Sequence, residues 1–216
     1  MDPPSPEAST FAKASADKSA RQARELELDL VARMRAGDAG AFDAIHADFN
    51  GRLFNFLARL SRRREVAEDL LDETWLRFVD RAHRLKPDTR LGPFLFTVAR
   101  NLYLSYCRSR LLEDSQTADA IGLWPLGTPR PSPFESTVAN ETGRRIEEAL
   151  AALPAAHREA LLLVAVEGMK PAEAAHVCGI TPVAMRQRIS RARVSIARHL
   201  DEDDHTLLAT LKAVTT

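Results

Sequence analysis

The chain has 216 residues, with 30 basic and 30 acidic side chains, a formal net charge of zero and 45% hydrophobic residues. That composition is too apolar for a disordered chain and ordinary for a globular one of one or two small domains. Only Cys107 and Cys178 occur, far apart, so there is no disulfide framework and a reducing cytoplasm is the expected location. The longest apolar run, Ala160 to Val166, is too short to span a bilayer. Residues Met1 to Lys18 lack the apolar core of a signal peptide.

Helical spacing recurs along the chain and strand-like alternation does not. Residues 1–24 are expected to be a disordered extension. A short apolar helix from Leu28 to Met34 should end at Ala36-Gly37-Asp38. Phe42, Ile45, Phe49, Leu53, Phe56 and Leu60, three and four apart, predict one face of a long second helix. Val66, Leu70, Leu71 and Phe78 mark a third helix, followed by a polar loop from His83 to Gly92. A fourth helix is predicted from Phe94 to Leu111, with Leu95, Val98, Leu102 and Tyr106 inward. Four prolines, three glycines and five acidic residues in 112–143 read as a flexible acidic linker. The expectation is therefore an all-α chain of two small helical domains, 25–111 and 144–200, joined by that linker. Residues 201–216 form an acidic, amphipathic tail, expected either to pack on the second domain or to act as a regulatory segment.

The strongest motif lies in the second domain, where residues 144–200 carry nine basic and five acidic side chains. Pro171 suits the first turn of a helix, with Ala174, Ala175 and Cys178 inward. Gly179 suits the left-handed residue that ends it. Thr181 can cap the next helix and Pro182 fits its first position. Met185, Ile189, Ala192 and Ile196 then mark a buried face. Two short helices joined by a tight turn make a helix-turn-helix. The opposite face carries Arg186, Gln187, Ser190, Arg191 and Arg193, residue types that bind guanine edges, adenine and phosphates.

Two features of the first domain are weaker. Glu65, Asp69, Asp72 and Glu73 fall on one side of the third helix, which suits either solvent or a basic partner. Phe96, Arg100, Tyr103, Cys107 and Arg110 share a face of the fourth helix. Opposite the expected core, such a face suits single-stranded DNA through stacking and phosphate contacts.

Ordered fragments of the sequence resemble the extracytoplasmic-function sigma factors of the sigma-70 family. These are Ala36-Gly37-Asp38 with Ala41-Phe42, Ala67-Glu68-Asp69-Leu70 with Glu73-Thr74-Trp75-Leu76, and Phe94 with Val98-Ala99-Arg100-Asn101. In the second domain they are Leu153-Pro154, Arg158 to Leu163, Glu167-Gly168, Gly179-Ile180-Thr181 and Ser190-Arg191-Ala192-Arg193. The resemblance covers roughly residues 25–200. It implies a subunit that directs core RNA polymerase to promoters, in a stress or envelope response and under an anti-sigma factor. It also implies that Asp69, Asp72, Glu73 and Arg77 bind the β′ clamp. The loop from His83 to Pro93 and the fourth helix would open the −10 element, with Arg100, Asn101, Tyr103 and Arg108 as contacts. The second domain would sit at the β flap and present Thr181, Val183, Arg186, Gln187, Ser190, Arg191 and Arg193 to the −35 element. Leu95, Ser105, Pro171 and Ala174 depart from the family's usual residues and bear on the promoter sequence.

Neither a cofactor nor a metal is implied, because His176, Cys178, Cys107 and His157 do not form the clustered ligand pairs of a zinc site. Without a phosphate loop or nucleophile motif, an enzyme is not expected. A regulator with a sensor domain would need a ligand pocket or parallel strands ahead of the helix-turn-helix. A purely structural adaptor would not need the basic face from Arg186 to Arg193.

Overall fold

A computed structural model describes residues 6–113 and 141–199, and every regular element among them is helical. Helix α1 runs Pro6–Arg35, α2 Ala39–Ser61, α3 Arg64–Arg81 and α4 Leu91–Glu113. A single 3₁₀ turn, Ala82–Arg84, follows α3. Helix α5 spans Glu141–Ala152 and α6 Ala155–Leu161, the latter widening into a π turn at Leu162–Val166. The helix-turn-helix is α7, Pro171–Cys178, and α8, Pro182–His199. Most of the expected linker, residues 114–140, and the tail from Leu200 onward lie outside the described residues.

The N-terminal segment differs from its expected disorder, since α1 is helical from Pro6. Residues 7–24 hold six Ala, two Lys and two Arg, all strong helix formers. Helix α1 ends where Gly37 takes φ +82°, a left-handed conformation that costs glycine nothing. The Asp38 carboxylate then accepts the Gly40 amide at 2.8 Å and pairs with Arg33 at 2.7 Å, starting α2. Those bonds hold the Asp38 carboxyl below its usual range, Arg33 first and the Gly40 amide next.

Two compact units result. The first comprises residues up to Asp48 with Asp80–Leu91. Val31, Met34, Ala41, Ile45, Ala82, Leu85 and Leu91 are its buried apolar side chains.

The second unit comprises Phe49–Val79 and the chain from Gly92 onward. Helices α2, α3 and α4 contribute Phe56, Phe78 and Leu95, all at most 1% exposed, each stabilising the unit by roughly 1.5–3 kcal/mol. Phe56 meets Phe96 edge-on at 5.1 Å, and Trp75 donates its indole N–H to Asn50 at 3.0 Å. Helices α5, α6 and α7 all pack on α8.

Within this unit, helices from both sides of residues 114–140 are joined by polar contacts. Three ion pairs cross from the first helical block to the second: Arg52–Glu167 at 2.9 Å, Arg59–Glu147 at 2.6 Å and Arg100–Glu159 at 2.5 Å. Arg158 joins them. Its guanidinium donates to the carbonyls of Leu150, Ala151 and Leu153 at the end of α5, and to that of Arg59 at 3.2 Å. Carbonyls at a helix end lack their usual partners within the helix, and that of Leu150 also accepts the Leu153 amide at 3.2 Å.

Candidate promoter and polymerase interfaces

The turn between α7 and α8 forms as its residues dictate. Gly179 has φ +64°. Its amide bonds the His176 carbonyl at 3.1 Å, and the Ile180 amide reaches back to Ala175 at 3.0 Å, the paired closure of a Schellman motif. Thr181 Oγ1 accepts the Ala184 amide at 3.2 Å, capping α8. Ala175 and Ala174, both buried, let α7 approach α8 closely.

Met185, Ile189, Ala192 and Ile196 are buried beneath α8. Thr181, Val183, Arg186, Gln187, Ser190 and Arg191 are exposed, and Arg193 is half-buried. One helix face thus offers fork-shaped donors, an amide and hydroxyls together, which is what a base edge and its flanking phosphates require. His157 of α6 lies close to this helix. Burial, then the charges of Arg191 and Arg188, hold its imidazole below the ordinary value.

Helix α3 buries Val66, Leu70, Leu71, Trp75 and Phe78. On its other side Asp69, Asp72 and Arg77 are exposed and Glu73 is half-buried, its carboxylate 2.7 Å from Arg77. Leu76 and Val79, 67% and 50% exposed, lie on the same side. The acidic face therefore carries an apolar centre that the charge pattern alone did not mark.

Helix α4 departs from expectation. The face predicted to be open is largely closed: Phe96, Tyr103 and Cys107 are buried. This second stripe carries Phe96, Tyr103 and Cys107 beside its arginines, and those three are covered as the first stripe's Leu95, Val98 and Leu102 are. Tyr103 Oη donates to the Leu60 carbonyl at 3.1 Å. Burial pushes this phenol and the Cys107 thiol up from their ordinary values. Arg100 is engaged with Glu159 and its side chain is 12% exposed. Asn101 and Arg108 are exposed, Arg108 with its guanidinium on the Leu104 carbonyl.

Arg52, Arg59, Glu147, Arg158 and Glu159 were not singled out as a group by sequence. The available signal was a charge at an inward helical position. Glu159 precedes the apolar run 160–166, and its carboxylate is fully buried with Oε2 unpartnered.

A helical chain that presents a capped recognition helix, with an acidic and apolar docking face elsewhere, defines a DNA-binding protein that also meets another protein. Family models refine this class. "Sigma-70 region 2" matches residues 46–111, and "Sigma-70, region 4" matches residues 143–196. The chain is 32% identical to the RNA polymerase sigma factor CarQ of Myxococcus xanthus, over 79% of this chain and 95% of that one. It is 30% identical to the ECF RNA polymerase sigma factor SigM of Bacillus subtilis, over 70% and 90%. Among solved structures, the sigma factor RpoE of Bartonella quintana, in complex with the anti-sigma factor NepR, is similar. Its TM-score is 0.59 at 25% identity, covering 73% of this chain and 95% of that one.

This chain belongs to the extracytoplasmic-function sigma factors of RNA polymerase, which direct the polymerase to promoters.

Proposed function

We propose that this sigma factor reads its promoters with two separate surfaces and docks on core polymerase with a third. Thr181, Val183, Arg186, Gln187, Ser190, Arg191 and Arg193 contact the −35 element in the major groove. Asn101, Arg108 and the loop from His83 to Pro93 meet the −10 element, joined by Arg100 once Glu159 releases it. Tyr103 supports α4 from within. Asp69, Asp72, Glu73 and Arg77 bind the β′ clamp, and the second helical block sits at the β flap. The protein works in the cytoplasm as a binding subunit rather than an enzyme, in a stress or envelope response. Control by an anti-sigma factor is supported by the likeness to RpoE, solved with NepR.

The observation that carries this reading is the exposed face of α8, where Arg186, Gln187, Ser190 and Arg191 share a side above a fully buried row. Few phosphates are within reach of so small a basic patch, so tight promoter binding depends on the polymerase.

The decisive experiment mixes the full chain with sigma-free core polymerase and genomic DNA of the host, then sequences the RNA 5′ ends. Discrete starts sharing −35 and −10 elements support the reading, and the double variant Arg186→Glu/Arg191→Glu should abolish them. Absence of a stable core complex and of specific starts overturns it.

A further inference from the structure

Residues 82–91, which carry the chain from α3 into α4, are two tight turns. The Leu85 amide bonds the Ala82 carbonyl at 3.2 Å, and the Thr89 amide bonds that of Lys86 at 3.0 Å. Pro87 occupies the second position of the latter turn, where its fixed φ is suited. Leu85 and Leu91 are buried at 4% and 1%. Between and before them His83, Arg84, Lys86, Asp88 and Arg90 are exposed. The loop is therefore anchored by its leucines and offers a mostly basic tip.

Three more of its backbone groups are bonded from α1. Arg24 Nη2 donates to the Asp88 carbonyl at 2.8 Å, and Nη1 to that of Thr89 at 3.3 Å. Glu27 Oε1 accepts the amide of Leu91, the first residue of α4, at 2.7 Å. Its other oxygen pairs with Arg24 and with Arg90, the latter at 3.3 Å. Glu27 thus serves α4 as an N-cap supplied by a different helix, with its charge at the positive end of the helix dipole. Hydrogen bonds of this charge-assisted kind are the strong ones. Both residues lie ahead of the matched region, which begins at residue 46.

We propose that Arg24 and Glu27 are positioning residues for promoter opening, presetting the 85–91 loop and the start of α4 to capture the unpaired −10 strand. This rests on the promoter-reading role given above. A loop already fixed in its receiving shape does not lose ordering entropy when the strand arrives. Neither residue need touch DNA. A duplex template and one mismatched at the −10 element pay the same penalty for a disordered loop. Duplex opening lies near balance and shows it in full, whereas the mismatched template is driven far toward the engaged state and stays nearly saturated.

The test uses the full chain in holoenzyme, on a promoter taken from the mapped starts, with 2-aminopurine in the −10 element. Two templates are compared: the full duplex, and one mismatched across the −10 element so that it is already open. For Arg24→Ala and Glu27→Ala, opening of the duplex should fall about tenfold, the worth of one charge-assisted hydrogen bond. Engagement of the mismatched template should stay close to wild type, as should core binding. Glu27→Gln, which keeps an acceptor for the Leu91 amide, should recover part of the loss and gives the same comparison if an alanine variant fails to fold. Equal losses on both templates, or none on either, would overturn the proposal while leaving the sigma factor assignment intact. If the wild-type holoenzyme opens no promoter, the promoter-reading role itself fails and takes the proposal with it.

Discussion

Tyr103 Oη donates to the Leu60 carbonyl at 3.1 Å, and that bond turns the middle of α4 toward α2 rather than toward solvent. Leu60 lies in the last turn of α2, where carbonyls have no partner within the helix. Tyr103→Phe keeps the ring and strands the carbonyl, so it should cost about 1–2 kcal/mol in urea unfolding. The pattern of transcription starts should not change. A changed start pattern at unchanged stability would instead make Tyr103 a DNA contact.

The Arg100–Glu159 pair gives a sharper stability prediction. Glu159 is fully buried and sits on α6, whereas Arg100 is 12% exposed on α4. Arg100→Ala leaves a buried carboxylate without its cation, at a cost of about 3–5 kcal/mol. Adding Glu159→Leu should recover most of that loss, because the desolvated charge is gone. A double-mutant cycle by denaturant unfolding checks this, and additive losses would mean that the two side chains are not energetically coupled.

On α3, the exposed Leu76 lies on the same side as Asp69 and Asp72. An apolar side chain ringed by charge is the usual centre of an interface. Leu76→Ser should weaken binding to core polymerase by about tenfold or more while leaving the melting temperature unchanged. Titration of labelled protein with core enzyme, beside a thermal melt, separates the two effects. Unchanged affinity would remove Leu76 from the docking face.

Sequence reading succeeded where structure follows from neighbours along the chain. Gly179, Thr181 and Pro182 specify the turn before α8 through their own backbone preferences and short-range hydrogen bonds. The apolar row of α2 was equally legible, since Ile45, Phe49, Leu53, Phe56 and Leu60 are all buried. Helix α4 was not, because Phe96, Tyr103 and Cys107 lie on a second stripe that is covered although Arg100 and Arg110 share it. Periodicity finds stripes but does not say which of two is covered. That depends on Leu60 and Glu159, which are 43 and 59 residues away from their partners. The reach of α1 to Pro6 has no apolar periodicity to mark it, since alanine rather than a hydrophobic stripe carries the helix there.

His157 yields a prediction about pH. Its Nδ1 is buried without a partner, and burial, then Arg191 and Arg188, keep the imidazole below its ordinary value of 6.5. The folded state thus binds this proton less readily than the unfolded state. Its contribution to stability is fully present above pH 6.5 and is lost as pH falls from there through the folded value. His157→Gln removes the titrating group, so wild type should lose stability relative to the variant on acidification below that point. Urea midpoints for both proteins at steps from pH 7.5 to pH 5 supply the comparison, the difference cancelling other groups that titrate alike in both. Parallel curves would mean that the imidazole accepts its proton as easily folded as unfolded, and that the charges of Arg188 and Arg191 do not reach it.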